Sequence, residues 1–79
     1  MIDSGDFEKI SYESADGNTM DVFRDTSEDL VLGFIREVEG GFKARVFEYD
    51  REVEFQNYDY ALKFVVKTCR VICPEDARF

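Results

Sequence analysis

The stretch LVLGFIREVEGGFKARVFEY, Leu30 to Tyr49, decides the fold. Leu30 to Val38 is rich in aliphatic and β-branched residues, and Phe42 to Tyr49 alternates apolar with polar side chains at the period of a strand. Gly40-Gly41 lies between them and supplies the backbone freedom that a tight hairpin turn demands. The two runs therefore read as adjacent antiparallel strands, with Leu30 to Val38 at the centre of a sheet.

Working toward the N-terminus, Asp25-Thr26-Ser27-Glu28-Asp29 is a polar connection, and Thr19 to Arg24 is a further strand. Asp16-Gly17-Asn18 is turn chemistry that tolerates positive φ, and Phe7 to Glu13 alternates in character before it. Short turns between successive strands predict an antiparallel meander. On the other side, Tyr49-Asp50-Arg51-Glu52 is a polar break, and Val53-Glu54-Phe55 is either a short fifth strand or an extended lead into a helix.

From Asn57 the period changes. Asn57 is a good N-cap, Asp59 falls in the first turn, and Lys67 and Arg70 stand toward the other end, as a helix dipole favours. Ala61, Leu62, Val65, Val66 and Cys69 form one apolar stripe, with Asp59, Lys63, Lys67 and Arg70 on the wet side. The helix must end before Pro74, which pushes its predecessor out of the α region. The expected fold is α+β: an antiparallel four- or five-stranded meander sheet with one C-terminal α-helix packed on one face, in the order ββββ(β)α. Residues 1–79 form one small domain, with 1–6 and 74–79 as flexible termini.

Strand parity assigns faces. Phe42, Ala44 and Val46 share one side and read as core, joined by Leu30, Leu32 and Phe34 and by Ile10, Tyr12, Met20 and Val22. Phe7, Phe23, Val31, Ile35, Phe47 and Tyr49 are left on the opposite side, among Lys9, Asp21, Glu37, Lys43 and Arg45. One helix covers one face, so the remaining apolar side chains are expected to form an exposed patch.

The composition supports a core: 44% of the 79 residues are hydrophobic and 15% aromatic, with eight Phe and four Tyr. Net charge is −8, from 18 acidic and 10 basic residues, which repels phosphate backbones and anionic membranes. Direct nucleic-acid binding and membrane insertion are not expected; a protein partner with a basic surface is. Met1 to Asp6 has neither a basic segment nor an apolar run, so cytoplasmic residence is the expectation. Cys69 and Cys73, four residues apart, are badly spaced for a strain-free disulfide and read as small buried hydrophobes in a reducing compartment.

Catalytic chemistry finds no foothold. The chain has no His, which removes the commonest general base and a favoured metal ligand. Gly40-Gly41 lacks the Gly-Lys-Ser/Thr and following helix of a phosphate-binding loop. Asp16 and Asn18 match the first and third positions of a calcium loop, but Met20, Asp21 and Ser27 stand where its fifth ligand, its Gly and its final Glu belong. Neither enzyme activity nor a cofactor or metal is expected.

The charge is unevenly distributed. Residues 1–56 hold 15 acids against 6 bases, whereas residues 57–79 hold 3 against 4. Asp25, Glu28 and Asp29 cluster in one connection, Glu37 and Glu39 end the third strand, and Glu48, Asp50, Glu52 and Glu54 crowd the region after the fourth. Aligned along one edge, at about 6–7 Å between alternate residues, they would imitate the phosphate row of a nucleic acid. The expected function is a non-enzymatic acidic interaction domain, a small inhibitor that binds a basic surface in the manner of phage-encoded nucleic-acid mimics. The alternative is a structural homodimer joined through Phe23, Val31, Ile35, Phe47 and Tyr49. Tyr58 and Tyr60, flanking Asp59, read either as a partner anchor or as a cap on the core edge.

Overall fold

The computed structural model describes residues 2–72. Five strands form an antiparallel meander: β2 (Phe7–Glu13), β3 (Thr19–Asp25), β4 (Leu30–Val38), β5 (Gly41–Val46) and β6 (Val53–Phe55), in the spatial order of the chain. Helix α1 (Tyr58–Thr68) comes next and lies chiefly over β5, flanked by β4 and β6. Val53–Phe55 is thus a true edge strand, with Phe55 opposite Phe42 and Val53 opposite Ala44.

The helix begins and ends where capping chemistry dictates. The Asn57 side chain accepts a hydrogen bond from the Tyr60 N–H at 3.1 Å, and Asp59 sits in the first turn. Asn57→Ala should cost about 0.5–2 kcal/mol, read as a lowered urea midpoint with an unchanged slope. At the other end Cys69 is the C-cap, and Arg70 turns the chain out at φ 57°. Ala61, Val65 and Val66 are buried, and Leu62 and Cys69 are half-buried against the same core.

Residues 2–6, expected to be loose, are held. β1 (Ile2–Asp3) pairs in parallel with β7 (Val71–Ile72) beyond the helix, and the Ile2 N–H bonds the Arg70 carbonyl at 3.2 Å. Asp3 then caps a single 3-10 turn, Ser4–Asp6, by accepting from the Gly5 N–H at 2.9 Å. Cys73 and the expected C-terminal tail, 74–79, lie outside the described residues.

The sheet faces are where sequence parity misleads. Val38 pairs with Gly41, so Glu39-Gly40 is a two-residue turn with Gly40 at φ 86°. Such a turn sets every odd-numbered residue of β4 opposite an even-numbered residue of β5. Ile35 therefore shares the face of Ala44, and Phe34 that of Arg45. The register carries on through β3, where Phe23 stands opposite Gly33 and Val22 opposite Phe34. The core under the helix is Phe23, Ile35, Ala44 and Val46 with Ala61 and Val65, ringed by Phe7, Phe42, Phe55, Tyr58 and Phe64. Phe7 stacks on Phe23 at 5.3 Å between ring centres, extending the cover to the far strand. Phe42, Ala44 and Val46 are on the expected side. Ile10, Tyr12, Met20, Val22 and Phe34 are not: they lie on the open face, while Leu30, also expected in the core, is exposed.

Candidate docking surfaces

Register lays the open face out in rows that cross the sheet. One runs Tyr12, Met20, Arg36, Lys43, Glu54, and the next runs Ile10, Val22, Phe34, Arg45. Ile10, Tyr12, Met20, Val22 and Phe34 thus form an apolar part of this face, and Arg36, Lys43 and Arg45 a cationic part toward β5. Arg36 is held by Glu52 at 3.1 Å, and Arg24 reaches Glu8 at 3.4 Å and also binds Asp29. Arg45 lies over the Phe47 ring at 5.8 Å, and its Nε is buried with no hydrogen-bond partner among the described residues. Tyr12 is 54% and Phe47 50% exposed, values that core residues of a small domain do not show.

Of the residues expected to form a dimer face, Phe23 and Ile35 are 0% and 2% exposed and belong to the core under the helix. They are removed from any docking surface, because the two-residue turn puts them on the covered side. Val31, Phe47 and Tyr49 are exposed as expected, although Tyr49 also packs edge-on against Phe64 at 5.8 Å. Tyr12, Met20, Leu30 and Ile72 are exposed apolar residues that sequence reading missed. Parity carried from the Glu39-Gly40 turn reaches β4 alone; placing Met20, and through it Tyr12, needs the register shift between Phe23 and Arg24. Tyr58 is a core-edge residue, 5.8 Å from Phe42 and donating its hydroxyl to Asp21; burial and the nearby Asp21 carboxylate hold that phenol protonated far above its ordinary range. Tyr60 stays exposed, with the Lys63 ammonium 5.9 Å from its ring.

The carboxylates expected in one row are split by the meander. Asp25 ends β3, Glu28 and Asp29 occupy the β3–β4 connection, and Glu48 and Asp50 the β5–β6 connection, at the same end of the sheet. Glu37 and Glu39 lie beside the β4–β5 turn at the other end, and Glu52 and Glu54 flank and enter the edge strand β6. A single continuous edge is therefore not formed. Glu37 also accepts from the Thr19 N–H at 3.3 Å, and Asp25 is buried, taking the Ser27 hydroxyl at 2.7 Å and N–H at 3.0 Å. At the far turn the Ser14 hydroxyl and the Asn18 N–H bond Asp16 and lower its pKa, so the residue suggestive of calcium serves the turn itself. No group of three or more acidic, His or Cys side chains among the described residues is arranged to hold a metal.

Three of the acids at this end, Asp25, Glu28 and Glu48, line a cleft of about 570 Å³. Its walls come from Ile2, the β3–β4 connection, the first residues of β4, Val46 to Glu48, and Thr68 to Arg70 at the end of the helix. Cys69 lines it as a half-buried free thiol whose pKa is pushed up to about 11, by burial first and by the Glu48 carboxylate second. In a Cys73→Ser background, alkylation of Cys69 at pH 8 should run well over ten-fold slower than that of an unhindered thiol, and should accelerate up to about pH 11. A rate equal to that of a free thiol at pH 8 would show that the cleft wall is not closed around it.

No described helix is long and apolar enough to cross a membrane. Compared with protein-family models, with curated proteins and with solved structures, the chain matches none.

Proposed function

We propose that this protein is a non-catalytic interaction module that docks its acidic end onto a basic surface of another protein, in the manner of a small inhibitor. The observation that carries this reading is the meeting of Glu28, Asp29, Glu48 and Asp50 at one end of the sheet, beside the exposed apolar side chains Leu30, Val31 and Phe47. Charge around an apolar centre is the anatomy of a docking surface: the apolar part supplies affinity and the charged rim steers encounter. Where the partner's basic surface is itself a phosphate-binding groove, the same end acts as a nucleic-acid mimic, with a compact cluster in place of a row.

Partner affinity should fall by about ten-fold or more between roughly 0.05 and 0.5 M salt. Neutralising Glu28, Glu48 and Asp50 together as Gln, Gln and Asn should remove most of that dependence. Salt-insensitive affinity for the native partner would end the electrostatic reading.

A homodimer is the second reading, favoured by the apolar half of the open face: Ile10, Tyr12, Met20, Val22 and Phe34. Sedimentation equilibrium of the wild type and of Phe34→Lys tests it directly. A concentration-dependent dimer that the substitution splits is the expected result on this reading, and a strict monomer at high concentration rejects it.

A further inference from the structure

Three observations coincide at the acidic end. The cleft of about 570 Å³ is within the range of small-ligand sites. Leu30, Val31 and Phe47, exposed large apolar residues at 55%, 42% and 50%, all line it. Glu28 and Glu48 stand at the same cleft, and neither forms an ion pair among the described residues. Among the described residues Arg70 is the only cation on the lining, and it too forms no ion pair there.

We propose that this cleft is an anchor site for a cationic side chain, an arginine or lysine presented by the partner, with Glu28 and Glu48 holding the charge and Leu30, Val31 and Phe47 the apolar stem. Long basic side chains carry a charged head on an aliphatic body, which matches a lining that joins carboxylates to an apolar wall. A guanidinium has the advantage, because its planar fork engages two carboxylates at once. An anion would meet one cation against Glu28, Glu48 and the buried Asp25, and is disfavoured. The inference rests on the docking reading for the source of the cation, but not for the chemistry of the cleft.

The probe is benzamidine, an amidinium on an aromatic body, titrated into the full chain and monitored by amide chemical shifts. Saturable shifts confined to residues around 28, 31, 47–48 and 69 are expected. Neutral benzamide should bind at least ten-fold more weakly and benzoate not at all, and a Glu28→Gln/Glu48→Gln variant with an otherwise unchanged spectrum should lose benzamidine binding by ten-fold or more. Equal affinity for benzamidine and benzamide, or unsaturable shifts spread over all acidic residues, overturns the site. Benzamidine binding at the cleft together with partner affinity untouched by the double variant would keep the site and reject the docking reading, so the two failures are told apart.

Discussion

Phe23→Ala should destabilise the domain by about 3–5 kcal/mol, the usual cost of emptying a fully buried aromatic position. Phe23 is 0% exposed, stacked on Phe7 and packed with Ile35 and Val46 under the helix. A domain of this size has roughly 5–10 kcal/mol in total, so the substitution removes a large share of it. Phe34→Ala, the same residue type on the other side of the sheet, should cost about 1 kcal/mol, because Phe34 faces the open side. Urea unfolding of the pair checks this. The reverse ranking would mean that the helix covers the other face.

Gly33→Ala should be nearly as damaging, for a different reason. A Cβ at residue 33 would stand 2.1 Å from the Arg45 carbonyl oxygen and 3.0 Å from the Arg45 carbonyl carbon and the Val46 Cα. All three are backbone atoms of the neighbouring strand, so no rotamer change relieves the overlap and the β4–β5 ladder itself must part. Overpacking typically costs about 1–3 kcal/mol, and a backbone obstacle puts this case at the top of that range or above. The comparison is Gly40→Ala, where nothing lies within 4 Å and only the φ of 86° is strained, for about 1–2 kcal/mol. Amide exchange in β4 and β5 should accelerate in the first variant far more than in the second. Equal effects would remove the close approach as the cause.

The strand order, the helix, its Asn57 cap and the core side of β5 were legible because each rests on a local signal. The faces of β2, β3 and β4 were not legible from hydrophobicity, since each parity of those strands carries apolar residues: Leu32 and Phe34 compete with Ile35, and Val22 with Phe23. What decides between them is turn length. Any two-residue turn in Val38-Glu39-Gly40-Gly41 pairs odd with even residues, so Ile35 had to join the side of Ala44 and Val46, and Phe34 had to oppose them. The register shift between Phe23 and Arg24 adds a break in parity that no residue type announces. Likewise, β1 and β7 are two-residue strands far apart in the chain, paired only because the helix delivers one beside the other.

The candidate site was half legible for a related reason. Composition marked the sheet and its loops as the acidic part, and strand parity marked Val31, Phe47 and Tyr49 as exposed. Grouping the acids needed the topology: the connections carrying Glu28 and Asp29 and carrying Glu48 and Asp50 are well separated in sequence and meet only because β3 to β6 alternate in direction. The same alternation sends Glu37 and Glu39 to the opposite end.

The docking account depends on one structural fact, that the helix lies on the Phe23, Ile35 and Val46 side and leaves the acidic end and the other face unshielded. Methyl-to-aromatic nuclear Overhauser effects in the full chain read this directly. Val65 methyl protons should show strong cross-peaks to the Phe23 ring and the Ile35 methyls and none to Phe34 or Tyr12. Cross-peaks from Val65 to Phe34, with Phe23 silent, would contradict the account.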